Sequence, residues 1–344
     1  MKQLSTLFVL FFLFSLVSLA APLKEVHRST KNFNNIKSIE VKGDFCKVIL
    51  KPSATDGVIV NSFIEASKDM EGFEINDQTE AGKLFLTVGV PSEHVSTKSG
   101  EIEIQVPTGT EIKIKTASGY IEASEIKECQ VDAHASYGQI TAQNVSGKYS
   151  LKTSTGGITV NDLQGELSAT SSKGDIELSD IETNTTVVTD AGVLVLKNIK
   201  GKLNTQSNTG DQTITNLDGD LMLRTSTGEI TLNNLKGSVE TANDDGDVWL
   251  TDIEGTLRLI SISGNLVGKN ILLSGNAYFE TTKGRVEMEF RNNLNELSFD
   301  LASNYGFLYI PGKSKKKKLK SGNGPILVST STNNGAQRFT LVNE

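Results

Sequence analysis

Over most of the chain, apolar and polar residues alternate in runs of four or five positions, and each run stops at a cluster of Gly, Asn, Asp or Ser. Period two marks strands with one face turned inward, and the clusters are turn chemistry. The pattern also repeats. Gly138, Gly156, Gly174, Gly192, Gly210, Gly228, Gly246 and Gly264 stand 18 residues apart, and Gly100, Gly119, Gly284 and Gly306 continue the register with spacings of 19 to 22. Two and four places after the glycine come apolar pairs such as Ile158 and Val160, Ile176 and Leu178, or Ile230 and Leu232. Seven places after it stand Val145, Leu163, Ile181, Ile199, Leu217, Leu235, Ile253 and Ile271. A second glycine follows at Gly147, Gly165, Gly201, Gly219, Gly237 and Gly255.

No run of this length buries its own apolar face. Stacked repeats do, with each strand pairing in parallel and in register with its equivalent one repeat away. Proline agrees: none lies between Pro107 and Pro311, as a ladder bonded on both sides requires. A propeller needs repeats of about 40 residues, and leucine-rich repeats need a helical segment that this alternation does not supply. The prediction is an all-β fold: a single elongated parallel β-solenoid (β-helix) with about 18 residues per coil and about a dozen coils. At about 4.8 Å per coil the rod is roughly 50–60 Å long.

The ends differ from the middle. Residues 1–20 read as a secretory signal peptide, with Lys2, the apolar stretch Leu7–Val17, and small residues at Ser18 and Ala20 before Ala21. Residues 21–98 lead into the solenoid as a β-strand N-terminal cap, with strand-like runs Ile36–Val41, Cys46–Leu50, Val58–Ala66 and Lys83–Val90. Such a cap covers the apolar end and open edge of the first coil. Residues 99–344 carry the repeats. Late in this span, Pro311 opens a Lys-rich loop at 313–320, and strands at Ile326–Thr330 and Arg338–Val342 then close the rod.

One polar column accompanies the repeat: Asn144, Asp162, Asp180, Asn198, Asn216, Asn234, Asp252 and Asn270. Asx side chains bond nearby backbone and tolerate left-handed conformations, so the column reads as a stacked turn. Its other reading is cation binding between Asp162 and Asp180. A second column, Thr153, Ser171, Thr189, Ser207, Thr225, Asn243 and Ser261, reads as a corner ladder.

Composition narrows the chemistry. The chain is acidic, with 34 Lys and Arg against 41 Asp and Glu, and it holds 3 His and 2 Cys, none beyond His134. That excludes zinc, Cys/His and Ser-His-Asp chemistry from the larger part of the chain, and no cofactor or metal is expected. Cys46 and Cys129 lie far apart in sequence, and bridged or free thiols both fit. After the leader no apolar run reaches membrane length.

The strongest charge cluster is Lys315, Lys316, Lys317 and Lys318 with Lys320. It fits contact with a polyanion, or a solvated loop whose charge blunts edge pairing at the end of the rod. The run has no interleaved aromatics and the chain is acidic, so nucleic acid is not expected. Trp249, the single Trp, either stacks on a sugar ring or is one exposed aromatic. An enzyme on polysaccharide would draw on Asp244, Asp245 and Asp247, with Asp211, Glu229 and Arg258 on neighbouring coils, yet the DDGD run sits where the repeat places turns. A flat Thr ladder for ice binding fails, because the column Thr159, Glu177, Val195, Thr213, Thr231 and Trp249 is broken.

The run VPTGTEIKIKTASGYIEASEI (106–126), the repeated S-x-G-x-I-x-L-x-x-I-x-G-x-L units and the closing GNGPILVSTSTNNG (322–335) resemble the bacterial putative-adhesin β-strand-repeat family, including the head-GIN type of autotransporter adhesin domain. The resemblance spans nearly the whole chain after the leader and carries no catalytic motif. It implies an exported, non-catalytic binding or scaffold protein of the bacterial cell envelope, in the periplasm, on the surface or secreted, with a glycan or an envelope protein as partner. A polysaccharide lyase or hydrolase and an envelope-stress component are the alternatives.

Overall fold

The computed structural model describes residues 22–342 except His94; the signal peptide lies outside the described residues. Apart from one 3-10 turn at Leu294–Glu296, every regular element among them is a strand. The solenoid is as the repeat predicts. Ile140 pairs with Ile158, Ile158 with Ile176, and Ile230 with Val248, all parallel and in register. Two parallel ladders run along the rod, one through strands such as Leu221–Thr227 and the other through strands such as Gln212–Asp218. Their inward residues form one continuous apolar core from Ile36 to Phe339. The rod has about ten turns.

Two details explain why the repeat is so strict. Gly228 has φ +134°, and a Cβ on it would lie 2.3 Å from the Gly210 carbonyl oxygen one coil earlier. Backbones of successive coils touch at this corner, so only glycine fits. At the next corner the eight Asx residues all take φ between 51° and 60°, the left-handed conformation that Asn and Asp tolerate best. Their side chains stack as a ladder: Asn216 Nδ2 donates to Asn198 Oδ1 at 2.8 Å, and Asn234 Nδ2 to Asn216 Oδ1 at 2.8 Å. The turn reading of this column therefore holds. No cluster of three or more metal-ligating side chains occurs among the described residues. The second column is buried, and hydroxyls such as Thr153 and Ser171 donate to the repeat-glycine carbonyls Gly138 and Gly156.

Strands are longer than the alternation suggests. Most of those in the regular coils have 7 residues, and several fuse into runs of 16 such as Ile140–Thr155. At this corner the ladder skips the left-handed residue itself, pairing Gln143 with Asn161 and Val145 with Leu163. The corner bends the strand without ending it.

Both ends are built differently. At the start, the first coil (Ser38–Asp44 and Lys47–Pro52) lies between later strands, Lys83–Gly89 and Lys98–Val106 outside it and Glu111–Thr116 and Ile121–Ser124 inside. Antiparallel strands Lys24–Phe33 and Glu74–Glu80, neither evident in the alternation, then cover that end. At the other end, Ile326–Thr332 and Gln337–Leu341 do not close the rod. They insert one layer in, between Leu266–Thr281 and Val286–Phe290 on one side and Leu297–Ile310 on the other. Apolarity accounts for the order. Phe339 is fully buried, with ring centroids 5.8 Å from Phe290 and Phe299 and 6.2 Å from Phe279. Such a residue belongs inside the stack, and the lysines belong at its edge.

Cys46 and Cys129 are buried, free thiols. Burial pushes the Cys46 thiol up to about 12 and also raises that of Cys129.

Candidate functional site

The lysine run is not a loop. Lys313–Ser321 is a strand, antiparallel to Leu297–Ile310, and the two form the last layer of the rod. Pro311-Gly312 joins them, with Gly312 at φ +71°, as a tight turn with Pro followed by Gly favours. Polar-looking sequence hides the strand because an edge strand needs only one anchor, and here Leu319 alone is buried. Charged edge strands resist pairing with further chains.

The strand pairing brings together residues that are separated in sequence. Leu297–Ile310 ends in the alternation Tyr305, Gly306, Phe307, Leu308, Tyr309, Ile310. Gly306 is the repeat-glycine corner, against the Gly335 backbone; after it Leu308 and Ile310 point inward, leaving Phe307 57% and Tyr309 37% exposed, and before it Tyr305 is 80% exposed. Lys316 pairs with Phe307 and its ammonium lies 4.7 Å from the ring centroid. Arg338, on the strand at the other side, lies 5.2 Å from the Tyr309 centroid. Cation and ring attract at these distances, so each charge fixes the ring beside it. Lys320 pairs with Asp300 at 2.6 Å. Lys315, Lys317 and Lys318 form no ion pair among the described residues.

A cleft adjoins this platform. Lys317, in the left-handed region at φ +68°, faces the whole corner between Ala302 and Phe307. One residue on the edge strand thus spans several on its partner, and the mismatch opens a cleft of about 530 Å³ lined by Tyr305, Lys317, Glu280, Thr282, Asn304 and Asn333. Its polar groups are held in place: Asn304 Nδ2 donates to Asn333 Oδ1 at 2.7 Å, and Tyr278 Oη donates to Glu280 Oε2 at 2.6 Å. The latter bond, with burial, raises the Tyr278 phenol above its ordinary value.

Other sequence candidates do not join this site. Trp249 is half-buried, in the ladder row that runs through Val267 and Glu287 to Arg338. Two of the carboxylates considered for catalysis serve the stack instead. Asp211 Oδ1 accepts from the Glu229 backbone N–H at 2.8 Å, and Asp247 Oδ1 accepts from the Asn265 N–H at 2.8 Å. Arg258 turns to Glu240, 3.7 Å away, and to the Tyr278 ring. The aromatics beside the lysines were readable as a period-two triplet just before the Pro-Gly turn. A run inspected for aromatics within itself misses those that strand pairing supplies.

Comparison with known proteins agrees with the architecture. A family model described as Toastrack DUF4097 matches two overlapping stretches, residues 61–216 and 196–337. Among curated proteins no match is found. Among solved structures the chain is similar to a putative cell adhesion protein from Clostridium sporogenes, at 12% identity over 92% of this chain and 100% of that one, with a TM-score of 0.30. It is also similar to a putative adhesin from Parabacteroides merdae, at 14% identity over 76% of this chain and 92% of that one, with a TM-score of 0.24.

Proposed function

The chain belongs to the Toastrack DUF4097 family, and on this frame we propose that it is an exported, non-catalytic binding scaffold of the bacterial cell envelope, of adhesin type. Export rests on the leader-like residues 1–20, and the adhesin type on the sequence resemblance of the repeats. The observation that carries the binding role is the contrast in how polar groups are used. Turn carboxylates of the regular coils accept bonds from the next coil, whereas the final layer presents three exposed aromatic rings beside lysines. No helix of the described residues is long and apolar enough to cross a membrane. A rigid rod holding such a face at one end suits attachment to an extended partner, with avidity if several rods engage one partner.

The test is a glycan-array and polysaccharide-depolymerisation screen on the purified chain without its leader. Retention of a polysaccharide without cleavage is expected. Release of products that Asp245→Asn with Asp247→Asn abolishes would overturn the non-catalytic reading.

A further inference from the structure

We infer that the outer face of the last layer, the exposed rings of Tyr305, Phe307 and Tyr309 with Lys316, Lys318 and the adjoining cleft, is a binding site for an acidic polysaccharide chain. This deepens the binding-scaffold reading and rests on it. Three observations meet here. Phe307 and Tyr309, two residues apart on one strand, are spaced about 6.6–7 Å, with Lys316 on one flank and Arg338 on the other, and Tyr305 stands across the Gly306 corner beside the cleft. The Tyr305 ring, 80% exposed, and the faces of Phe307 and Tyr309 turned away from Lys316 and Arg338 accept the apolar faces of sugar rings, an amphipathic role that suits Tyr. The lysines supply positive potential beside the rings in a chain whose net charge is −7, so the site selects for anions locally rather than along the whole rod.

The cleft separates acidic sugar from nucleic acid. Beside Lys317 it offers Asn304, Asn333 and Thr282, and it also holds the carboxylate of Glu280. Amides and a carboxylate suit a ligand rich in hydroxyl donors. A phosphodiester backbone brings charge to Glu280 with no hydroxyl donor to offer it, and Glu287 stands next to Arg338 in the ladder. A polymer whose units carry hydroxyls beside their carboxylates fits both halves of the face.

Affinity electrophoresis through gels containing polygalacturonate, dextran or single-stranded oligothymidylate tests the assignment on the purified chain. Polygalacturonate is expected to retard the protein, with retardation falling steeply as salt rises. Combining Tyr305→Ala with Phe307→Ala is expected to weaken retention about tenfold, the scale of two lost ring contacts. The double change to Gln at Lys316 and Lys318 is expected to weaken it at least as much and to flatten the salt dependence. Phe307→Tyr keeps the ring and should keep binding. Tyr137→Ala, an exposed aromatic near the other end of the rod, should change nothing. Unaltered melting temperatures show that the variants fold. Polygalacturonate retention that both combined variants preserve would overturn the site while leaving a binding scaffold intact. Equal retention by dextran would overturn its selectivity for anions, and stronger retention by oligothymidylate would make it a nucleic-acid face. No retention by any polymer would also overturn the site, whereas cleavage of polygalacturonate would overturn the non-catalytic reading beneath it.

Discussion

The middle of the rod and its C-terminal layer are made of the same kind of strand, yet they use outward polar groups in opposite ways. Around Asn198, Asn216 and Asn234 a shallow groove of about 290 Å³ runs over the surface, but its amides are bonded to one another from coil to coil. Asp211 and Asp247 likewise face the next coil's backbone. In the last layer there is no next coil. The lysines of the outermost strand have no strand beyond them, and their pairing with the strand below sets Lys316 beside the exposed Phe307 ring. Repetition turns polar side chains into mortar, and recognition becomes available where the repetition stops.

Five measurements break or sharpen this contrast. The largest effect is expected for Ile230→Asp, which places a lone charge at a fully buried position between Gln212 and Val248. Chemical denaturation should show a loss above about 4 kcal/mol, whereas Glu229→Lys, exposed and one residue earlier, should cost under about 0.5 kcal/mol. Similar midpoints for the two would show that inward and outward faces are misassigned. Next comes Phe339→Ala, expected to cost about 3–5 kcal/mol because four rings meet there; a loss near zero would mean that the inserted strand is not part of the core.

Third is alkaline pH. The buried Cys46 thiol is held protonated in the fold, up to about 12, while an unfolded thiol ionises near its ordinary value of about 8.5–9. Stability should be level below that value and fall between about pH 9 and pH 12, and Cys46→Ala should flatten the fall. Burial raises the Tyr149 phenol as well. These groups lie in the N-terminal half, so hydrogen exchange should show that half loosening before the C-terminal layer. Fourth, Asn216→Ala should cost about 1–2 kcal/mol, since it removes two ladder bonds and a side chain suited to positive φ. Asn216→Gly keeps the conformation and isolates the ladder's share; equal losses would assign the whole effect to the bonds. Smallest is Tyr305→Ala, expected to change the melting midpoint by less than about 0.5 kcal/mol equivalent; a large loss would make the ring structural.

The regular coils were legible from sequence because one set of constraints recurs many times. Gly228 touches the coil below, Asn216 turns left-handed, and Ile230 points inward, and each repeat restates these demands. The ends are stated once. The strand Glu74–Glu80 buries only Ile75, so it leaves almost no alternation, and Lys313–Ser321 is held by Leu319 alone. Which strand lies outermost depends on pairings between residues far apart in sequence, such as Tyr309 with Arg338, and no local pattern records them. The candidate face was half legible for the same reason: its lysines are contiguous, but its rings reach them only across a hairpin.

The inserted strands at Ile326–Thr332 and Gln337–Leu341 give the rod a sense of time. A chain made from its N-terminus can stack coil on coil as each emerges, because every strand meets a partner already in place. The layer formed by Leu297–Ile310 and the lysine strand is different, since the strands it rests on are made after it. Until the last residues appear, that hairpin can fold on itself but has nowhere to dock. Completion of the rod and display of its C-terminal face are therefore one event. A chain cut short just before Ile326 would lack the face even though most of its coils are intact.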